Sequence, residues 1–157
     1  MEFGIIDLIQ SMLAPGIMIS ACGLLILGMN NKYSIVVNRI RLLNEEKRRF
    51  AFKASENAFQ YNEEVRLKSI STQLIKLHYR IRLVRNAVLS YSVAVGMFVT
   101  TSLIIGLAFW LKSRNLESLV IILFSLGMIS VLSGIIFAAY ETIKGYEIIR
   151  FDIKADE

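Results

Sequence analysis

The sequence has few of the residues that build disulfide frameworks, metal sites and catalytic sites. Its 157 residues include one Cys, one His, one Pro and one Trp. A single Cys cannot form an intramolecular disulfide, and a lone His without a second ligand at a suitable spacing cannot form a zinc site. The chain also has no phosphate-binding glycine loop and no serine nucleophile motif. We therefore expect no enzyme activity, no bound metal and no other cofactor.

Charge is missing from three long runs, which span residues 8–31, 86–111 and 118–140. These runs hold 24, 26 and 23 residues in a chain that is 55% hydrophobic. About 20 apolar residues suffice for a helix to cross the hydrocarbon of a bilayer. The sequence therefore predicts transmembrane helices over about 11–30, 87–111 and 118–140. Helices buried in a soluble bundle are the weaker alternative, because such helices keep a polar face and these runs have none.

A cleaved signal is an alternative for the first run, because "ISAC" at 19–22 is similar to a lipoprotein cleavage box with Cys22 as the acylated residue. The residues before it include Glu2 and Asp7 and no Lys or Arg, whereas a signal peptide opens with positive charge. The apolar run also continues past Cys22. We therefore favour a membrane-spanning helix, in which Cys22 is a small apolar residue at a helix interface.

Basic residues are concentrated in one segment. Residues 31–86 contain 13 of the 18 Lys and Arg residues, whereas the tail before the first span contains none. The positive-inside bias therefore places 31–86 in the cytoplasm. It follows that the N-terminus of segment 1–30 and the short loop 112–117 lie outside. The second and third spans lie within 87–140, and the tail 141–157 returns to the cytoplasm.

The segment 31–86 has the periodicity of two paired helices. Apolar residues recur at intervals of three and four, which is the pattern of a coiled-coil seam. This hairpin seam comprises Val36, Ile40, Leu43, Phe50, Leu67, Ile70, Leu74, Leu77, Ile81 and Val84. Its two halves are separated by the turn-like stretch 55–64. We predict an all-α integral membrane protein with three transmembrane helices and a long cytoplasmic antiparallel helical hairpin between the first two.

Each span carries small residues at helical spacing, which allow helix backbones to approach closely. Three spans offer few partners within one chain, so we expect a homo-oligomer. These small residues are Gly16, Ser20 and Gly23 in the first span, Ser92, Gly96 and Thr100 in the second, and Ser130, Gly134 and Ala138 in the third.

The small residues of the first span extend into a longer face, the first-span stripe, which comprises Gly16, Ser20, Gly23, Leu27 and Asn30. Several copies with this stripe turned inward would enclose a narrow pore, in which Leu27 is the only bulky apolar side chain. Arg41 and Arg48 continue the same face and would form a basic cytoplasmic vestibule. The alternative is a packing stripe within the membrane and a solvated face outside it.

Four bases lie near the predicted cytoplasmic end of the spans: Lys32, Arg80, Arg82 and Arg85. Bases at this level attract anionic headgroups, so we expect anionic lipids to bind there. The remaining expected partners are further copies of the chain and a cytoplasmic protein docked on the hairpin. We expect no nucleic-acid partner.

The run "APGIMISACGLLILGMNNKY" followed by "VNRIRLLNEEKRR" resembles an uncharacterised family of small bacterial integral-membrane proteins, defined by a domain of unknown function. The resemblance covers nearly the whole chain and implies a protein of the bacterial inner membrane. It implies no activity, substrate or site residue. From the residues themselves we favour an ion channel lined by the first span and modulated by the hairpins. The alternative is a membrane scaffold or accessory subunit whose hairpin docks a partner, and an intramembrane enzyme is a more distant third.

Overall fold

The fold consists of three long helices. The computed structural model describes the backbone of residues 5–55, 61–111 and 116–155, and the side chains of residue 6 and of 8–52, 65–111 and 116–145. Helix α1 covers Ile5–Ser55, α2 covers Tyr61–Leu111 and α3 covers Leu116–Ala155. No strand occurs within these ranges. The predicted all-helical architecture with three membrane-length helices is confirmed.

All three helices are long enough and apolar enough to cross a membrane over Leu8–Phe52, Val65–Leu111 and Leu116–Gly145. Only 17% of the residues in the most apolar window of each helix are buried inside the chain. Water would solvate such an apolar surface at a large free-energy cost, whereas lipid tails cover it without one. The chain is therefore a membrane protein.

The helix ends differ from the predicted ends at two places. Helix α2 begins at Tyr61, inside the stretch predicted as a turn, and residues 56–60 of that stretch lie outside the described part of the chain. Helix α3 continues beyond the predicted span 118–140 to Ala155 and so includes most of the predicted tail 141–157. The segment 141–155 contains no Pro, so nothing in it breaks the backbone hydrogen bonding of the helix.

The chain divides into two compact units. The first unit contains residues 1–29 and 86–138, and the second contains 30–85 and 139–157. The core of the first unit includes the buried side chains of Cys22, Tyr91, Ala94, Phe98 and Val131.

The core of the second unit lies between the C-terminal half of α1 and the N-terminal half of α2. Its buried cluster consists of Val36, Leu43, Ile70, Leu74 and Leu77, with Ile40, Phe50 and Ile81 packed against it. Leu67 is half-buried and Val84 is fully buried. All ten residues of the hairpin seam thus lie in or beside buried surface, as their intervals of three and four require of one helix face.

Candidate functional site

The first-span stripe lies on an open side of α1. Gly16, Ser20, Gly23, Leu27 and Asn30 are all exposed in the single chain. A Cβ atom added at Gly16 or Gly23 would meet nothing within 4 Å. The Ser20 hydroxyl donates a hydrogen bond to the Gly16 carbonyl at 3.3 Å, which satisfies this polar group within the helix. The stripe is therefore a mildly polar surface, with Leu27 as its one bulky side chain, that stays exposed among the described residues.

A neighbouring side of α1, about 100° around the helix from the first-span stripe, carries its packing contacts. Pro15, Cys22 and Met29 are buried, and they follow one another at seven-residue intervals. Pro15 also removes one backbone N–H donor from the helix, which a packed neighbourhood tolerates. This packed side and the first-span stripe are different faces, because buried and exposed positions alternate with the helical period.

Helices α2 and α3 of the first unit pack by inserting aromatic rings over glycines. A Cβ atom added at Gly134 would lie 2.5 Å from Tyr91 Cε1, and one added at Gly127 would lie 2.7 Å from Phe98 Cε1. Phe98 also meets the Phe124 ring at a centroid distance of 5.4 Å. The Ser130 hydroxyl donates to the Ser90 carbonyl at 2.8 Å. We call Gly127 and Gly134 the glycine notches of α3.

The predicted small-residue stripes of α2 and α3 differ in their contacts. In α3, Gly134 packs closely, and Ser130 bonds to α2. In α2, the exposed Ser92, Gly96 and Thr100 lie away from these contacts, and a Cβ atom at Gly96 would meet nothing within 4 Å. The α2 face that packs contains Tyr91, Ala94, Phe98 and Thr101 instead. Two of its members are aromatic, and a search for small residues overlooks a face of this kind.

A buried carboxylate joins all three helices in the second unit. The side chain of Glu141 on α3 is 1% exposed, and it accepts from two bases. Lys32 Nζ of α1 donates to Glu141 Oε2 at 3.0 Å and to Thr142 Oγ1 at 2.8 Å. Arg80 of α2 donates to Glu141 Oε1 through Nη2 at 2.6 Å and through Nε at 3.2 Å. We call Lys32, Arg80 and Glu141 the ionic cluster.

Gly145 makes room for the ionic cluster. A Cβ atom at this position would lie 2.8 Å from Arg80 Nη2, so the guanidinium lies against the bare backbone of α3 one turn beyond Glu141. A buried charge is stable only when it is paired and its hydrogen bonds are satisfied. Within the described residues no buried side-chain polar atom lacks a partner, and Glu141 meets this requirement.

The predicted cytoplasmic tail 141–157 begins at Glu141, and the sequence contains a signal for the partners of this residue that local patterns do not use. Glu141 is the first charged residue after the third charge-free run, and Lys32 is the first after the first run. An acid and a base at the ends of two neighbouring spans are natural partners. The 109 residues that separate them conceal this proximity from any local pattern.

The other predicted site residues lie on exposed surface. Arg41 and Arg48, the predicted vestibule, are exposed on α1, and Arg82 and Arg85 are exposed on α2. The four bases predicted to bind anionic lipid thus fall into two kinds, because Lys32 and Arg80 are held in the ionic cluster. On the hairpin flank, Arg66 forms a two-point ion pair with Glu46, through Nε at 2.9 Å and Nη2 at 3.4 Å.

The single histidine has a local partner. His78 Nδ1 lies 2.8 Å from the Leu74 carbonyl oxygen, and since a carbonyl can only accept, Nδ1 carries the proton. Within the described part of the chain no group of three His, Cys, Asp or Glu side chains could hold a metal ion.

Comparison with known proteins supports the family resemblance. A family described as protein of unknown function (DUF2721) matches residues 12–151, a range that includes the first-span stripe, the hairpin seam and the ionic cluster. No curated protein matches the chain, and no solved structure matches it. The matched range covers most of the 157 residues, and the chain belongs to the DUF2721 family.

Proposed function

We propose that the protein is a homo-oligomeric ion channel of the bacterial inner membrane, with the first-span stripe of each copy facing a shared axis. One observation carries this proposal: α1 buries one side within its own chain and leaves Gly16, Ser20, Gly23, Leu27 and Asn30 open. Backbones approach closely along a side that bears two glycines and a serine. Copies that meet near this face therefore form a tight ring.

The stripe has the chemistry of a narrow pore with one constriction. Gly16, Gly23 and Ser20 leave space and carry a hydroxyl, and Asn30 provides an amide at the end of the span. Leu27 is the one bulky apolar member, and this residue is 59% exposed. A ring of such side chains gates by dewetting, because water leaves a narrow apolar passage. Leu27 is therefore the gate in this proposal, and Arg41 and Arg48 form the cytoplasmic mouth.

The test is conductance of the purified protein in planar bilayers. Leu27→Ser should raise the open probability or the conductance, because a hydroxyl retains water at the constriction. Leu24→Ser is the matched control, since Leu24 is 71% exposed on the same helix but off the first-span stripe. The absence of conductance from both the wild type and Leu27→Ser, at all voltages, membrane tensions and salt conditions tested, would reject the channel. Equal gains in both variants would place the constriction elsewhere.

The proposed orientation has its own test. The basic segment 31–86 is assigned to the cytoplasm, with the N-terminus outside and the C-terminus inside. A reporter fused near Phe59 should be active on the cytoplasmic side, and one fused near Asn115 should be active outside. The reverse pattern would invert the channel and move Arg41 and Arg48 to its outer mouth.

A scaffold or accessory subunit is the second candidate, and a specific observation favours it. The second unit exposes large apolar side chains among its charges, with Ile35 at 69%, Leu42 at 59% and Phe52 at 70% on α1. Ile35 and Leu42 lie seven positions apart, close to two helical turns, so they share one face, and Phe52 lies about 80° around the helix from Leu42. An apolar face outside the lipid is typical of a docking surface for a partner helix.

A photo-crosslinker at Leu42 distinguishes the two candidates when it is combined with the bilayer experiment. The scaffold predicts one dominant cross-linked protein in cells, lost in Ile35→Asp, and no conductance. The control site is Asn44, which is exposed on a different face of α1. The channel predicts conductance from the purified protein alone. Cross-links only between copies of the chain would reject the docked partner.

A further inference from the structure

The ionic cluster lies where the spans end. Lys32 is the first charged residue after the run 8–31, and Glu141 is the first after the run 118–140. Charged residues at the ends of apolar helices lie at the level of the lipid headgroups. Arg80 donates a hydrogen bond to the same carboxylate, so Lys32 and Arg80 both lie at the headgroup level.

The cluster has one more positive charge than negative. Lys32 and Arg80 carry two positive charges, and Glu141 supplies one negative charge. Glu141 is 1% exposed, whereas the side chains of Lys32 and Arg80 are 43% and 20% exposed. The negative charge is thus enclosed, and the excess positive charge faces the surroundings.

The cluster also has hydrogen-bond donors to spare. The ammonium of Lys32 has three N–H groups, of which Glu141 and Thr142 occupy two. Arg80 uses Nε and Nη2 for Glu141. Among the bonds that the described residues make, the third Lys32 N–H and the Arg80 Nη1 group have no acceptor. The side chains that bear these donors are held in place through Glu141 and the bare backbone at Gly145.

We propose that Lys32 and Arg80, fixed by Glu141, bind one phosphate group, supplied by an anionic lipid headgroup or by phosphate in solution. A phosphate neutralises the excess charge and accepts from both the ammonium and the guanidinium. Glu141 is the positioning residue of this site, because it holds the two bases that contact the phosphate. The site does not depend on conduction.

Arg82 and Arg85 give the site a matched control. Both are exposed on α2 near the same span, and neither joins the ionic cluster. They attract an anionic surface through charge alone, without a side chain fixed to hold one phosphate. The proposal therefore separates a fixed phosphate site from a general attraction that all four predicted bases share.

The experiment measures lipid retention by native mass spectrometry on the full chain, after exchange into vesicles of phosphatidylcholine with one-fifth phosphatidylglycerol. Lys32→Gln removes a base whose side chain is nearly half exposed, so the fold should persist. We expect phosphatidylglycerol occupancy to fall about fivefold or more, which corresponds to a loss of about 1 kcal/mol or more from a hydrogen bond between charged groups. Arg82→Gln and Arg85→Gln should each change it less than about twofold.

A second arm identifies the source of the phosphate. Inorganic phosphate is added to the protein in pure phosphatidylcholine vesicles, and the melting temperature is compared with that in chloride. A rise that Lys32→Gln abolishes supports the site with phosphate from solution as its ligand. Phosphatidylglycerol retention without such a rise supports a lipid headgroup.

Two results would overturn the phosphate site. The first is equal loss of phosphatidylglycerol in Lys32→Gln, Arg82→Gln and Arg85→Gln, which indicates general surface attraction. The second is unchanged retention in both Lys32→Gln and Arg80→Lys. Arg80→Lys keeps the charge and removes the planar fork, so it tests the geometry without removing the ion pair.

Discussion

The glycines of α1 face open space, whereas those of α3 receive large side chains from α2. A Cβ atom at Gly16, Gly23 or Gly28 would meet nothing within 4 Å, but one at Gly127 or Gly134 would collide with an aromatic ring. Both helices have the composition that predicts close packing in a membrane. The difference shows that a small-residue stripe predicts an approach without identifying the neighbour. The partner of α3 lies within the chain, whereas the small-residue face of α1 is exposed among the described residues.

The same contrast between filled and open faces runs through the second unit. Leu74 and Leu77 lie in its buried cluster, whereas the adjacent Ile75 is 73% exposed. One step along α2 therefore changes a side chain from core to surface.

The largest expected effect comes from charging the filled face of the second unit. Leu74→Asp should lower the free energy of unfolding by about 3 kcal/mol, because it places an unpaired charge in an apolar cluster. Ile75→Asp is the control and should change it by less than about 0.5 kcal/mol, as exposed substitutions usually do. Melting in mild detergent measures both. Equal loss in the two variants would remove the distinction between these faces.

A smaller loss is expected from filling a glycine notch. Gly134→Ala should lower the free energy of unfolding by about 2 kcal/mol, since its Cβ atom displaces the fully buried Tyr91 ring. Gly23→Ala should leave stability unchanged or slightly higher, because alanine is the better helix former and its methyl group meets open space. Matching melting temperatures for the two variants would mean that the Tyr91 ring moves aside freely.

The open face of α1 should respond in function with little change in stability. Arg41→Glu combined with Arg48→Glu should weaken or reverse the anion preference of the proposed channel, because local charge sets the ion concentration at its mouth. The control pair, Arg39→Glu with Arg49→Glu, lies on other exposed faces of α1 and should shift the reversal potential less. The reversal potential under a salt gradient measures this. Equal shifts of the reversal potential in the two double variants would mean that total charge sets the anion preference. Arg41 and Arg48 would then not form a vestibule on the first-span stripe.

Local patterns in the sequence predict the three helices and the burial of the seam. The charge-free runs define the apolar helices, because an ionised group is costly in hydrocarbon. The alternating intervals of three and four place Val36, Leu43, Ile70, Leu74 and Leu77 on shared faces, and these five side chains are buried together. Such patterns repeat within a few turns of one helix, so a single segment contains all the information they need.

The pairing between helices is what the sequence conceals. The contact between Tyr91 and Gly134 and the bond between Lys32 and Glu141 depend on the register of distant segments. No local period encodes that register. The pattern after residue 140 likewise does not show that α3 continues to Ala155 or that Glu141 has partners on α1 and α2.

The glycine notches also limit how the length of the chain can change. Seven residues separate Tyr91 from Phe98, and seven separate Gly127 from Gly134, so the antiparallel pairs keep equal steps. Seven residues make about 700° of helix, close to two full turns. One residue inserted into either interval would turn the side chains beyond it by about 100°. One of the two aromatic rings would then no longer lie over its glycine. Insertions and deletions here are therefore compatible with the fold only in matched pairs of about two turns, one in each helix.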